Sequence, residues 1–218
     1  MWLIHLRITK ELIMKLKHGF LPWILFCVVG LSLATAQAQT QSPTKKPSKS
    51  AAKTEKKAPP TITSFLDGQF NILEHDFVPA ADAMPEDKYN FAPTQGEFKG
   101  VRTFALEVRH VAATNYLVSA AILGEKPPEG SDKDNGPDNL TTKSQIMDYL
   151  KQSMAYTHRA IASINAKNML TQVKAPFGPG TMSKVSLASV PAWHSFDHYG
   201  QMVEYLRMNG IIPPASRK

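Results

Sequence analysis

The sequence predicts an all-α protein, a four-helix bundle of up-down-down-up order. Four segments after residue 60 repeat apolar residues at helical spacing. No alternating β-branched pattern competes with them. The connection between the second and third segments, GEKPPEGSDKDNGPDN, is rich in Pro, Gly and Asp and has no apolar period. It exceeds the roughly 2–8 residues usual between antiparallel neighbours in a bundle. A connection that long can cross the end of the bundle, so the second and third helices are read as parallel.

The first helix is expected from about Thr61 to Met84, with Ile62, Leu66, Gln69, Leu73, Asp76 and Ala80 on one stripe. Phe65, Ile72 and Phe77 flank it, and Pro79 is expected to kink its last turns. The second helix starts near Val101 and stops at Gly124, before Pro127-Pro128. It has two apolar stripes: Phe104, Val108, Val111, Val118 and Ile122, and Leu106, Ala113, Leu117 and Ala121. A helix apolar on two sides is well buried. The third starts near Thr142, where Thr142 and Gln145 form a capping box. Ile146, Leu150, Met154, Ile161 and Ile164 make its core face. The fourth runs from about Ser183 to Asn209 and stops at Gly210.

The segments before the bundle read differently. Lys15, Lys17 and His18 precede the uncharged apolar run Phe20 to Leu33, and two A-x-A patterns follow at Ala34-Thr35-Ala36 and Ala36-Gln37-Ala38. Residues 1–38 are thus expected to be a signal peptide, cleaved after Ala36 or Ala38, with export to the periplasm or the extracellular space. The run is shorter than the roughly 20 residues of a spanning helix, so no membrane span is expected after cleavage. Residues before Met14 are unusual for such a signal, and Met1 and Met14 both stand as starts. The single cysteine, Cys27, lies inside the apolar run, so the mature chain would have no thiol chemistry of its own. Residues 39–60 are Lys, Pro, Ser, Ala and Thr with almost nothing to bury, a disordered linker ahead of the 61–218 bundle domain.

The formal net charge of +7 belongs to these segments: residues 1–38 contribute +3 and residues 39–60 +5, which leaves −1 for residues 61–218. The bundle is nearly neutral, and a nucleic-acid partner is excluded on that ground. The overall composition, hydrophobic 43% and charged 20%, also excludes wholesale disorder and a multi-span membrane protein.

Chemistry concentrates on the fourth helix. His194 and His198 are spaced i, i+4 in the middle of the stripe Leu187, Pro191, His194, His198, Gln201, Met202, Tyr205. Burying two unpaired imidazoles costs roughly 1–3 kcal/mol per polar group. A divalent metal removes that cost by taking both ring nitrogens; hydrogen bonds to backbone or carboxylate would do the same. His110, on the stripe of Leu106, Ala113 and Leu117, is the best third ligand from another helix. His75 and His158 lie off the apolar stripes and read as solvated or boundary residues. A metallopeptidase is disfavoured. Asp197 is one methylene short for H-x-x-E-H, Ser195 breaks H-E-x-x-H, and only twenty residues follow His198.

A histidine on the second helix, H-x-x-x-H-x-x-Q on the fourth and the long crossover together resemble the DinB/YfiT-like superfamily of metal-site four-helix bundles. The resemblance covers about residues 62–216. It is closest in Phe77 to Tyr89, Val108-Arg-His-Val-Ala112 and Trp193-His-Ser-Phe-Asp-His-Tyr-Gly-Gln201. It implies a four-helix bundle with His110, His194 and His198 as metal ligands. It also implies thiol-dependent S-transfer or isomerisation, since the family's known enzymes mostly use low-molecular-weight thiols. The cofactor implied is one divalent ion, with imidazole suiting zinc, nickel or iron. Three protein ligands leave an open position where a thiol or water would be activated against a small-molecule electrophile. Export departs from the cytoplasmic pattern of the family, because such thiols are scarcer and more oxidised outside the cytoplasm.

Two functions follow: a metal-dependent transferase or hydrolase, or a non-enzymatic metal-binding or interaction module on the same fold. Polar groups converging on the open position would favour the enzyme, with Gln69, Asp76 and Gln201 the expected contributors; an apolar lining would favour the module. The fourth helix also carries a second apolar surface of Phe196, Val203 and Leu206 beside Tyr199. Its expected cover is the partner of a two-fold homodimer, or else neighbouring helices, the linker or Ile211 to Pro214 of the same chain.

Overall fold

A computed structural model describes residues 59–218. The expected signal peptide, residues 1–38, and all of the expected linker but its last two residues lie outside the described residues. Four helices account for most of the described chain: α1 (Ile62–Ala83), α2 (Phe104–Leu123), α3 (Lys143–Ala162) and α4 (Lys184–Met208). Each begins at a hydroxyl cap. Thr61 and Ser64 form a capping box at α1, as do Thr142 and Gln145 at α3, and Thr103 and Ser183 cap α2 and α4. Such a side chain satisfies one of the orphan N–H groups of the first turn, worth about 1 kcal/mol. Helix α2 starts three residues later than its apolar pattern suggests. Residues 101–103 stay out of the helix, and the amides of Phe104 and Ala105 donate to the carbonyls of Phe91 and Tyr89, both at 2.8 Å. Gly124, with φ +71°, ends α2 in the left-handed conformation that a side chain would disfavour.

The order of the helices is legible in their contacts. Helices α1 and α3 are antiparallel, because Thr63 Oγ1 donates to the carbonyl of Ile164 while Lys143 pairs with Asp82 at the other end. Helices α2 and α3 are parallel: Asn115 meets Met154, Ser119 meets Thr157, and Glu125 meets Arg159. Helices α2 and α4 are antiparallel, with Arg102 beside Tyr205 and His110 beside His194. This is the up-down-down-up arrangement. The crossover therefore has to return the length of α2, roughly 30 Å at 1.5 Å per residue. It runs back along α2 as well as passing the bundle end: Ser131 reaches Tyr149, Asp134 reaches His110, and the carbonyls of Gly136 and Pro137 receive Arg109.

The core is the expected apolar set with one rotation. Both flanks of the α2/α3 seam are as read, with Val108, Val118, Leu150 and Met154 fully buried. On α1 the buried stripe is Leu66, Phe70, Leu73, Phe77, Ala80 and Ala81. Phe70 and Phe77 turn inward, which leaves Phe65 and Ile72 exposed and moves Gln69 to the surface. Helix α1 continues through Pro79 to Ala83. A small antiparallel hairpin, β1 (Gln172–Lys174) and β2 (Thr181–Ser183), joins α3 to α4 and was not expected. Three-residue strands are too short to show alternation. The second apolar surface of α4 is partly covered within the chain: Leu206 is buried, Val203 and Tyr199 are half-buried, and Phe196 is 38% exposed. No helix among the described residues is long and apolar enough to cross a membrane.

A candidate metal centre

The antiparallel contact of α2 with α4 brings His110, His194 and His198 together. His194 and His198 are one turn apart on α4, and His110 faces them from α2. The Nε2 of His194 lies 3.1 Å from that of His110 and 3.3 Å from that of His198. All three ligand atoms fall within 4.8 Å of one another. Tetrahedral bonds of 2.0–2.1 Å to one ion would separate such nitrogens by about 3.3 Å.

The outer nitrogens explain why the inner ones are free to ligate. His198 Nδ1 donates to the Glu107 carboxylate at 2.5 Å, and His110 Nδ1 donates to the carbonyl of Asp134 at 2.5 Å. Both partners accept only, so these rings carry their proton on Nδ1 and present a lone pair on Nε2. The Nε2 lone pairs of His110 and His198 cannot hydrogen-bond each other, and a His194 Nε2–H could serve only one of them at a time, whereas a cation serves all three nitrogens. Burial disfavours the charged form of two of the imidazoles, His194 and His110. It pushes His194 down to about 3, with His198, His110 and Arg102 adding to the effect. For His110 burial also prevails, outweighing the Asp134 hydrogen bond, and the pKa falls below its ordinary value. The donor set thus fits a divalent cation.

Supporting groups hold the rings in place. Glu107 is 1% exposed and sits one turn before His110 on α2. Asp134 is fixed by Arg102, whose guanidinium donates to its carboxylate at 2.8 Å and, through Nε, to Asn135 at 2.8 Å. That ion pair keeps the Asp134 carboxyl below its ordinary range. His194 Nδ1 is buried without a hydrogen-bond partner, so its orientation rests on packing.

His110 and His194 line a cavity of about 480 Å³. One wall is polar and comes from the crossover, residues Ser131 to Asp134, with Thr114 from α2. The other is apolar and includes Leu117, Phe177, Val190 and Trp193. Three expected contributors are elsewhere. Gln69 and Gln201 are exposed, and Asp76 pairs with His75 at 2.9 Å on the outer face of α1. The stripe that suggested Gln69 and Asp76 was displaced by the inward turn of Phe70 and Phe77. His158 bridges Asp67 and Glu74 at 2.6 and 2.9 Å on the α1/α3 margin, and His75 is solvated. Glu107, Asp134 and Arg102 escaped the sequence reading. Glu107 left a usable signal in Glu107-Val-Arg-His110, an i, i+3 pair on one helix face. Asp134 acts on His110 through its backbone, which leaves none.

Comparison with known proteins agrees with this architecture. No curated protein sequence matches the chain. A crystal structure of a DinB-like protein from Bacillus cereus ATCC 10987 has a similar fold. It is 19% identical, with a TM-score of 0.56 over 71% of this chain and 96% of that one. The family model of the DinB superfamily matches residues 69–202, a span that includes all three histidines. The chain belongs to the DinB superfamily.

Proposed function

We propose that this protein is an exported metalloenzyme whose His110, His194 and His198 hold one divalent ion and turn it toward a small electrophile in the adjoining cavity. The observation that carries the reading is the convergence of three Nε2 atoms with two Nδ1–H groups already committed to oxygen acceptors. A divalent cation bound there supplies Lewis acidity, which ionises a thiol or a water at neutral pH. The protein's own part is positioning. Glu107 and the Asp134 carbonyl orient two rings and raise their basicity. The crossover wall offers hydroxyl and charged groups to a polar substrate, while Trp193 and Phe177 screen the opposite side.

A reactivity screen of the zinc-, nickel- and iron-loaded protein tests this, run with and without low-molecular-weight thiols. Turnover that His198→Ala abolishes supports the enzyme. Stoichiometric metal with no turnover favours the second reading, a non-enzymatic binding module, to which the apolar wall of the cavity lends support. Export rests on the apolar run and its two A-x-A patterns. N-terminal sequencing of the exported fraction should begin at Gln37 or Gln39; a chain that keeps Cys27 contradicts it. A two-fold dimer remains the proposed cover for Phe196, together with the exposed Phe65 and Ile72 of α1. Light scattering should then give twice the chain mass, and a strictly monomeric mass at high concentration removes the proposal.

A further inference from the structure

The cavity at the histidines does not end there. A second cavity, of about 520 Å³, lies farther along α2. Leu117 and Pro176 line both, so the two adjoin at these side chains and follow one another along α2. Their floor is one face of α2: Ala113, Leu117 and Ala121 follow at four-residue spacing. Two of the three are alanine, which gives the groove its depth. Its other side is the hairpin, through Val173 and Pro176. From Ala113 to Gly124 the floor runs roughly 16 Å at 1.5 Å per residue.

Both halves are mostly apolar, and they differ in which polar groups they carry. The half at the histidines carries the crossover's Ser131, Lys133 and Asp134. The distal half is lined mostly by Ala, Val, Leu and Pro side chains, with the exposed Lys174 and Glu125 its charged residues. Its one acid, Glu125, is already engaged by both guanidinium nitrogens of Arg159 at 2.7 and 2.8 Å and by Tyr156 at 2.8 Å. A compact substrate at the histidines would leave this half empty. A linear aliphatic chain would fill it and meet few polar groups that need a partner.

We propose that the groove along α2 binds the aliphatic chain of an amphiphile, a fatty-acyl-type ligand whose polar head lies at His110 and His194. The proposal rests on the metal-site reading for its head and on the second cavity for its tail.

Titration calorimetry on the full chain separates the two. The zinc-loaded protein is titrated with acetohydroxamate and with hexanoyl, octanoyl and lauroyl hydroxamate, whose head chelates metal at every chain length. The metal-free chain is titrated with acetate and laurate. Affinity for the hydroxamates should rise about fourfold per added methylene until the groove is filled. Ala121→Trp and, from the opposite wall, Val173→Trp should each stop the rise at a shorter chain. Acetohydroxamate binding with no dependence on length, or a rise that neither variant shortens, overturns the groove and leaves the metal site standing. Failure of acetohydroxamate with laurate still bound, and weakened by both variants, keeps the tail site and removes the head assignment. No binding in either arm overturns the proposal.

Discussion

Two of the three histidines are held by an oxygen acceptor, and the one that holds His198, Glu107, is not part of the cavity lining, which makes it testable apart from the ligands. Glu107 is nearly inaccessible, and its carboxylate accepts from His198 Nδ1. Glu107→Gln retains an acceptor but removes the charge that raises ligand basicity. Metal affinity should fall by about 10- to 100-fold, the range found for partners of metal-bound histidines. Chelator competition measures it, with the helical circular dichroism signal as the check on folding. An unchanged affinity would mean the contact only fills space. At this scale the sequence was informative where helical spacing applies. His194 and His198 announce themselves at i, i+4 on an apolar stripe, and His110 stands on a second stripe. Asp134 was illegible because its backbone carbonyl, not its side chain, contacts His110 most closely. Arg102, which anchors it, lies outside α2 and off any stripe.

Among the elements, the crossover carries the most function per residue, although it has no periodicity to read. Its length was enough to predict that α2 and α3 are parallel; its path along the histidine site was not predictable from composition. Gly136 lets it lie close to the bundle. Its φ is +68°, and a Cβ there would stand 3.3 Å from Tyr149 and 3.4 Å from the carbonyl of Arg109. Gly136→Ala should therefore cost about 1–2 kcal/mol through the left-handed backbone alone. In a domain of this size that lowers the melting temperature by roughly 2–8 °C. Because Asp134 lies two residues away, metal affinity should fall with it. A variant with wild-type melting and wild-type affinity would show that the crossover does not brace the site.

The α1/α3 pair offers a pH test at a distance from the histidine cluster. Burial lowers the His158 pKa, but hydrogen bonds to Glu74 and Asp67 outweigh it and hold the value above the ordinary 6.5. The folded protein then binds more protons than the unfolded chain between 6.5 and that raised value, so stability falls as pH rises through the window. The stabilisation is fully present below the unfolded pKa. Denaturant unfolding of wild type and His158→Gln, from about pH 5 to 9, should show a gap that is largest in acid and shrinks as pH rises. A gap that stays constant with pH would mean the bridge acts through packing with Phe70, 5.0 Å away between ring centroids, and not through charge.

For the molecule as a whole, the bundle and its order were readable because each helix buries an apolar stripe and the connections limit which helices can be neighbours. The rotation of α1 was harder: Phe65, Ile72, Phe70 and Phe77 lie around a wide arc, and only packing decides which pair turns inward. The hairpin was hidden for the opposite reason, since its strands are too short to carry a pattern and its loop, Ala175 to Gly180, ends in Gly178, Pro179 and Gly180. These connecting pieces, the crossover and the hairpin, wall the cavity, while α2 and α4 supply the histidines. A bound ion would join α2 to α4 and couple metal to folding. At a free metal concentration one hundred times Kd it should stabilise the domain by about 2.7 kcal/mol.

The most direct test of the three-histidine site is metal stoichiometry after loading and desalting, on wild type, His110→Ala, His198→Ala and the distant control His75→Ala. The site described predicts one divalent ion per chain in wild type and in His75→Ala, and loss of that ion in His110→Ala and His198→Ala. An unchanged stoichiometry in both His110→Ala and His198→Ala would contradict it.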